Sequence, residues 1–378
     1  MKHRHKLFFI STIIIFSLGL AGCGLHAQAR EVDRLLVVQA MGIDAGAEGV
    51  RLTLSAPSGP ASGSAPVRLE GRGAGMAEAL ERIRAGVSEE ELFCAHIGHL
   101  LIGEETARRG IGPCLDYLCR TNDLRLSVPL CILRGGDARE ALLGVGNESY
   151  GACDALDSVD GDLRERGDGR STPAAELLRD LARYDSALVC AVSLEASAEA
   201  DRSAAASKRP LTLVPAGYAV LKGGRLVGFL DREQAVGVGL LRGESGLCEI
   251  TVSGQDGLPV TLTLTGGSCR LEPRFDESGA LSSLAVQVEA TARLAESAAG
   301  DSARDYLQMM LERALSERVR RVLRFSQSRD ADFLGLAGRL SRGEPRLTAE
   351  AFAARWPSLP LTVSVHATLE GGGPEDAP

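Results

Sequence analysis

Apolar and polar positions divide the chain into a short leader and a long body of alternating periods. Lys2, Arg4 and Lys6 precede an apolar run from Leu7 to Ala21. That run falls short of the roughly 20 residues of a permanent span, so it reads as a leader that enters the bilayer and is cleaved. It ends in Leu20-Ala21-Gly22-Cys23. Small residues let the segment enter a peptidase groove extended, and the thiol behind them takes a diacylglycerol by thioether chemistry. A plain secretory signal would also end in small residues and a signal anchor would stay in place, but the order Leu-Ala-Gly-Cys directly behind the apolar run favours residues 1–22 as a lipoprotein signal peptide and Cys23 as the lipidation site. Two or three acyl chains hold a protein at a membrane surface where one would not. The mature chain is expected outside the cytoplasm.

Beyond the leader, period-two and period-3.6 stretches follow one another. Val32–Val38 is mostly apolar and Val50–Leu54 alternates, with turn residues Gly42 to Gly46 between them, which predicts a strand pair. Pro57–Pro66 reads as a loop. Met76, Ala79, Leu80, Ile83 and Val87 recur at helical spacing. His99–Gly103 suits a buried strand, and Glu104 and Glu105 open a helix whose face continues through Ile111, Leu115 and Leu118. A strand over Leu124–Leu133 completes a strand–helix–strand block. Residues 144–171 read as a polar connection. Leu177, Leu178, Leu181 and Tyr184 then mark a helix, Ala187–Leu194 a strand, and Ala196–Ser207 a low-complexity linker.

The second half opens with a hairpin pairing 216–221 with 225–230 across Lys222-Gly223-Gly224. Asp231 caps a short helix through Gln234. Strands are expected at 247–252, 259–264, 268–272 and 284–294. The longest helix is expected at 301–325, with Asp301 at its start and Arg318, Arg320, Arg321 and Arg324 crowding its end. Leu361–Leu369 is a last strand, ahead of a Gly/Pro/acid tail, 373–378, expected to be disordered. The class is α+β, with mixed sheets and packed helices in several subdomains. The expected domains are 23–200 and 201–372, the second divisible in two.

Composition narrows the function. The leader holds three of the 42 basic residues and no acidic ones, so the mature body carries 39 basic against 50 acidic residues, a net −11. That balance is unsuited to nucleic acid and gives no polybasic help on anionic lipid. Eight cysteines remain after Cys23, several in apolar runs such as residues 188–192, where a free thiol packs as a small hydrophobe. Most are expected to be free and buried.

The candidate sites all carry plainer readings. Cys94, His96 and His99 suggest a metal cluster, but on a strand residue 99 points away from 94 and 96, so packing is expected instead. Asp154, Asp157, Asp160 and Asp162 lack the alternate-position acids and closing Glu of a calcium loop, and read as a solvated connection. Gly237 to Gly243 only superficially matches a phosphate loop and reads as a flexible turn. The arginines at 318–324 and Phe333-Leu334 offer partner contacts, but a dipole-matched helix end and a buried turn are expected. Trp356, the lone tryptophan, is expected to plug a domain joint. No Gly-x-Ser-x-Gly or His-Glu-x-x-His occurs. No enzyme, cofactor or metal is expected.

Three stretches together resemble the Ger(x)C family, the lipoprotein C subunits of spore germinant receptors. The first is the Cys23 motif with Glu31-Val32-Asp33 and Ala40-Met41-Gly42-Ile43-Asp44. The second is His99-Leu100-Leu101-Ile102-Gly103-Glu104-Glu105, continuing to Arg120 and Arg125-Leu126. The third is Gly217-Tyr218-Ala219-Val220, Leu226 to Asp231, Asp330 to Leu336 and Trp356. One departure is Gly24-Leu25-His26, where the family commonly has a Trp-Asp-type sequence. The resemblance implies three subdomains anchored on the outer face of the inner spore membrane. It further implies work beside a membrane-embedded A subunit and a transporter-like B subunit, in a complex that senses nutrients and triggers release of ions and dipicolinate. It implies no catalytic residues. A lipoprotein that captures a small nutrient or ion directly is the alternative, and an envelope enzyme a third class.

Overall fold

The computed structural model describes residues 35–47, 49–56, 67–87, 91–145, 151–166, 169–196, 211–244, 246–297 and 304–370. The leader, Cys23, the 57–66 loop, most of the 196–207 stretch, Asp301 and the tail lie outside them.

The described chain opens with β1 (Leu35–Val37), β2 (Ala40–Gly46), β3 (Gly49–Ala56) and β4 (Val67–Gly73). Helix α1 (Met76–Gly86), β5 (Glu91–Phe93), β6 (His99–Ile102), α2 (Glu104–Arg109) and α3 (Gly112–Arg120) follow. Next come β7 (Pro129–Arg134), α4 (Ala138–Gly144), α5 (Ala152–Arg166), β8 (Thr172–Pro173), α6 (Ala174–Tyr184) and β9 (Ser186–Ala196). The second half holds β10 (Leu211–Lys222), β11 (Arg225–Leu230), α7 (Arg232–Arg242), β12 (Cys248–Ser253), β13 (Pro259–Phe275) and β14 (Leu281–Ser297). It closes with α8 (Arg304–Ser328), α9 (Leu336–Gly343), α10 (Ala349–Arg355), a 3-10 turn and β15 (Leu361–Leu369).

These elements make an α+β fold with three mixed or paired sheets among the described residues. The large sheet runs β11-β10-β9-β7-β6-β2-β3-β4, with β8 added on β7. Its centre, from β2 through β6 and β7 to β9, is parallel, and both flanks are antiparallel. A parallel centre needs cover on both faces. One face packs on α1, α2, α3 and α6 through Leu80, Ile83, Ala107, Leu115 and Leu177. The other packs on α4 and α5 through Ala141, Leu142, Leu156, Val159 and Leu163. The second sheet, β12-β13-β14-β15, packs on α7, α8, α9 and α10 around a third core. β1 and β5 form a small parallel pair.

The low-complexity stretch near residue 200 falls between β9 and β10, which are antiparallel neighbours. One sheet thus takes strands from both sides of the expected domain boundary. The hairpin β10–β11 and the strand β15 stand where the alternation placed them.

Several readings change, each for a tertiary reason. Gly42-Ile43-Asp44 is not the turn but the middle of β2, whose pairing with β3 continues as far as Gly46 opposite Gly49. Asp44 tolerates a position only 1% exposed because its carboxylate accepts the Ala138 and Arg139 N–H groups, both at 2.8 Å. Gly42 lets α4 pack close on β2, since a Cβ there would stand 2.8 Å from Leu142 Cδ1 and 3.2 Å from Ala138 Cβ. The 144–171 connection contains α5, since Ala152, Ala155, Leu156, Val159 and Leu163 form a buried helical stripe. The helix after Asp231 runs on to Arg242. The two strands expected at 259–264 and 268–272 are one strand, β13, irregular at Leu264/Gly266.

Candidate functional site

Period-two alternation along β6 sends Leu100 and Ile102 to one core and His99 and Leu101 to the opposite face, under α4 and α5. His99 pairs in register with Ala40, whose small side chain leaves room for an imidazole. Helix α5 crosses above it with Cys153 and Asp157 one turn apart. The result joins His99, Cys153 and Asp157, one donor atom from each lying within 4.8 Å of the others. His99 Nε2 is 2.7 Å from Asp157 Oδ1. The His99 side chain is 5% exposed and that of Asp157 70%. Its other nitrogen, Nδ1, is buried with no partner among the described residues. Cys153 Sγ lies 3.7 Å from the Gln39 carbonyl, which also accepts the N–H groups of Gly98 and His99. Burial, then Asp157 and Asp154, push the Cys153 thiol up to about 12.

Neither metal cluster considered from the sequence exists as drawn. Cys94 is buried at the end of β5, and His96 lies on an exposed turn against Phe93, ring centroids 5.3 Å apart. Asp154, Asp157, Asp160 and Asp162 ride a helix instead of a loop, and the Asp154 carboxylate accepts the Gly151 N–H. The fold takes one member from each set and adds Cys153. The 152–163 apolar spacing was the available signal for α5, and the Gly and Asp content of 144–171 obscured it.

A second concave feature lies between α6 and the α9–α10 pair, a cleft of about 490 Å³ lined by Tyr184, Asp185, Lys222, Asp330, Phe352 and Trp356 among others. Lys222 and Asp330 form a 2.6 Å ion pair across it. Tyr184 rests on Gly335 and Gly338, where a Cβ would meet its ring or hydroxyl at 3.0 and 2.7 Å. Trp356 is buried in the C-terminal core, stacked on Phe352 at 5.2 Å, and lines the cleft as well. Phe333 and Leu334 are 2% and 5% exposed, so they are core. Asp332 accepts the Leu336 and Ala337 N–H groups at 2.7 and 2.8 Å, opening α9, while burial pushes its carboxyl up to about 6.

The arginine cluster sits within α8, which ends at Ser328, and not at its terminus. Arg321 pairs with Glu233 of α7 at 2.6 Å, and Arg320 donates to the Val363 carbonyl of β15 at 3.1 Å. These two fasten elements of the same subdomain. The supposed glycine turn is helix α7, held by a capping box between Asp231 and Gln234 and ended by left-handed Gly243. Gly237 gives its close approach to α8, since a Cβ there would stand 2.9 Å from the Arg318 carbonyl oxygen. None of the eight described cysteines is in a disulfide; five are buried and Cys119 is exposed. No helix among the described residues is long and apolar enough to cross a membrane.

Residues 28–144 match the family model of the spore germination protein N-terminal domain, and residues 216–373 that of the spore germination B3/GerAC-like C-terminal domain. Among solved structures, the crystal structure of the GerBC protein is similar, with a TM-score of 0.57 over 88% of this chain and 97% of that one. At 16% identity that likeness speaks for the fold alone. No curated protein matches the chain. The two matched segments follow each other in the family's order and together span most of the length, and the chain belongs to the Ger(x)C family of spore germination proteins.

Proposed function

We infer that the chain is the lipid-anchored C subunit of a nutrient germinant receptor, a non-catalytic part that supports assembly and signalling in spore germination. The observation that carries this is the succession of both family segments behind Leu20-Ala21-Gly22-Cys23. In this reading residues 1–22 are removed, Cys23 is acylated, and the body works on the outer face of the inner spore membrane. Its partners are the membrane-embedded A and B subunits. A tether confined to two dimensions raises the effective concentration of the body near those partners, so modest protein contacts suffice. The acidic body, net −11 (39 basic against 50 acidic), leaves attachment to the lipid rather than to anionic headgroups.

Replacing Cys23 with Ala tests this. The variant is expected to leave the membrane fraction and to weaken germination. A variant that stays fully membrane-bound with normal germination overturns the reading.

A second reading has an observation of its own. The 490 Å³ cleft combines aromatic walls with the Lys222–Asp330 pair, a lining suited to a small zwitterion. Direct capture of a nutrient there predicts heat on titration with germinant amino acids, lost in Lys222→Ala.

A further inference from the structure

We propose that His99, Cys153 and Asp157 bind a divalent transition-metal ion of the zinc type, clamping α5 to β6 of the large sheet. The donor set is imidazole, thiolate and carboxylate, a borderline combination that suits zinc and disfavours calcium or magnesium. Cys153 and Asp157 stand four residues apart, so both project from the same face of α5 toward one strand residue. A tetrahedral ion with bonds of about 2.0–2.3 Å spaces its donors by about 3.3–3.6 Å. The present spread of 2.7 Å between His99 and Asp157, and up to 4.8 Å across the set, is brought to that value by rotating the Asp157 and Cys153 side chains. Asp157 is free to move because it is exposed.

The ion would take Nε2, the imidazole nitrogen that faces Asp157 Oδ1 at 2.7 Å, and the neutral ring then keeps its proton on Nδ1. On binding, the sulfur–metal bond forms as the thiol proton leaves to solvent. Three protein ligands leave a fourth position toward solvent on the Asp157 side, for water or for a donor from a bound group. This site does not depend on Cys23 or on the membrane.

The experiment uses the full chain in detergent with Cys119→Ser, which removes the exposed thiol. Zinc alone is titrated by calorimetry, and cobalt(II) alone by visible and near-ultraviolet absorption. One equivalent is expected, with tetrahedral cobalt bands and a thiolate-to-cobalt charge-transfer band. Loss of outer groups around such sites costs about 10–100-fold in affinity, so loss of a direct ligand should cost at least that much. Cys153→Ser is expected to abolish the charge-transfer band, and Asp157→Asn to weaken binding while keeping it. Metal is also expected to shield Cys153 from alkylation and to slow amide exchange across α5 in the unsubstituted protein, a readout that needs no variant to fold. The proposal is overturned by absence of binding, by octahedral cobalt without the thiolate band, or by binding indifferent to both substitutions. Any of these leaves a hydrogen-bonded His99–Asp157 pair only.

Discussion

Trp356 Nε1 donates to Ser326 Oγ at 3.1 Å, and that hydroxyl in turn donates to the Ala331 carbonyl at 2.6 Å. The relay ties the turn after α10 to the end of α8 inside a core where both residues are at most 1% exposed. A buried indole needs such an outlet for its N–H, and Ser326 provides it.

The first prediction follows directly. Trp356→Ala empties a large core site and should cost about 3–5 kcal/mol. Trp356→Phe keeps the stacking on Phe352 and leaves Ser326 its bond to Ala331. It should cost less, with the lost N–H bond contributing about 1 kcal/mol. Urea midpoints followed by circular dichroism check the order, since either variant removes the only tryptophan fluorophore.

Asp332 predicts a pH dependence. Its carboxyl is raised from 3.8 to about 6 by burial, against backbone N–H bonds that pull it down. The folded state therefore holds this proton more tightly than the unfolded state. Its contribution is fully present below about pH 4 and is lost as pH rises through about 6. Discounted for its partly open position, the swing is about 1–2 kcal/mol. Melting curves of the parent and Asp332→Asn between pH 4 and 7 should diverge in the parent's favour toward the acid end. A constant difference across that range refutes the assignment.

Two glycines in helices should respond oppositely to alanine. Gly161 on α5 has open space where a Cβ would go, so Gly161→Ala should stabilise by about 0.5–1 kcal/mol. Gly237 faces the backbone of Arg318 at 2.9 Å, so Gly237→Ala must push α7 from α8 and should destabilise by about 1–3 kcal/mol. Denaturant midpoints of the two single variants decide it.

Asp44 acts as a distant cap for α4. Its oxygens satisfy two opening N–H groups of that helix from β2, 94 and 95 residues away in sequence. Asp44→Ala leaves both donors buried and should cost about 2–3 kcal/mol, with Asp44→Asn near half that. Faster hydrogen exchange at Ala138 to Leu142 is the local signature to measure.

Where a pattern is complete within one window, the sequence was readable. Met76, Ala79, Leu80 and Ile83 define α1, Lys222-Gly223-Gly224 defines the β10–β11 reversal, and Leu361–Leu369 is β15 as read. Two glycines with positive φ at that reversal leave the local backbone little choice. Asp44 and Gly237 were misread because each is a residue whose local preference, turn or flexible loop, is overruled by a partner distant in sequence. A carboxylate in mid-strand needs the α4 N-terminus, and a glycine in mid-helix needs the α8 backbone.

Sequence alone thus determined the family resemblance, the α+β class and most element positions, because periodicity and turn chemistry are local. It also assigned His99 to a buried strand. Tertiary structure decided which face of β6 that histidine occupies, that α5 exists to cover it, and that Cys153 and Asp157 arrive 54 and 58 residues later at one point in space. The arrival depends on helix packing against a parallel sheet, and side-chain alternation along one strand does not encode which helix will lie above it.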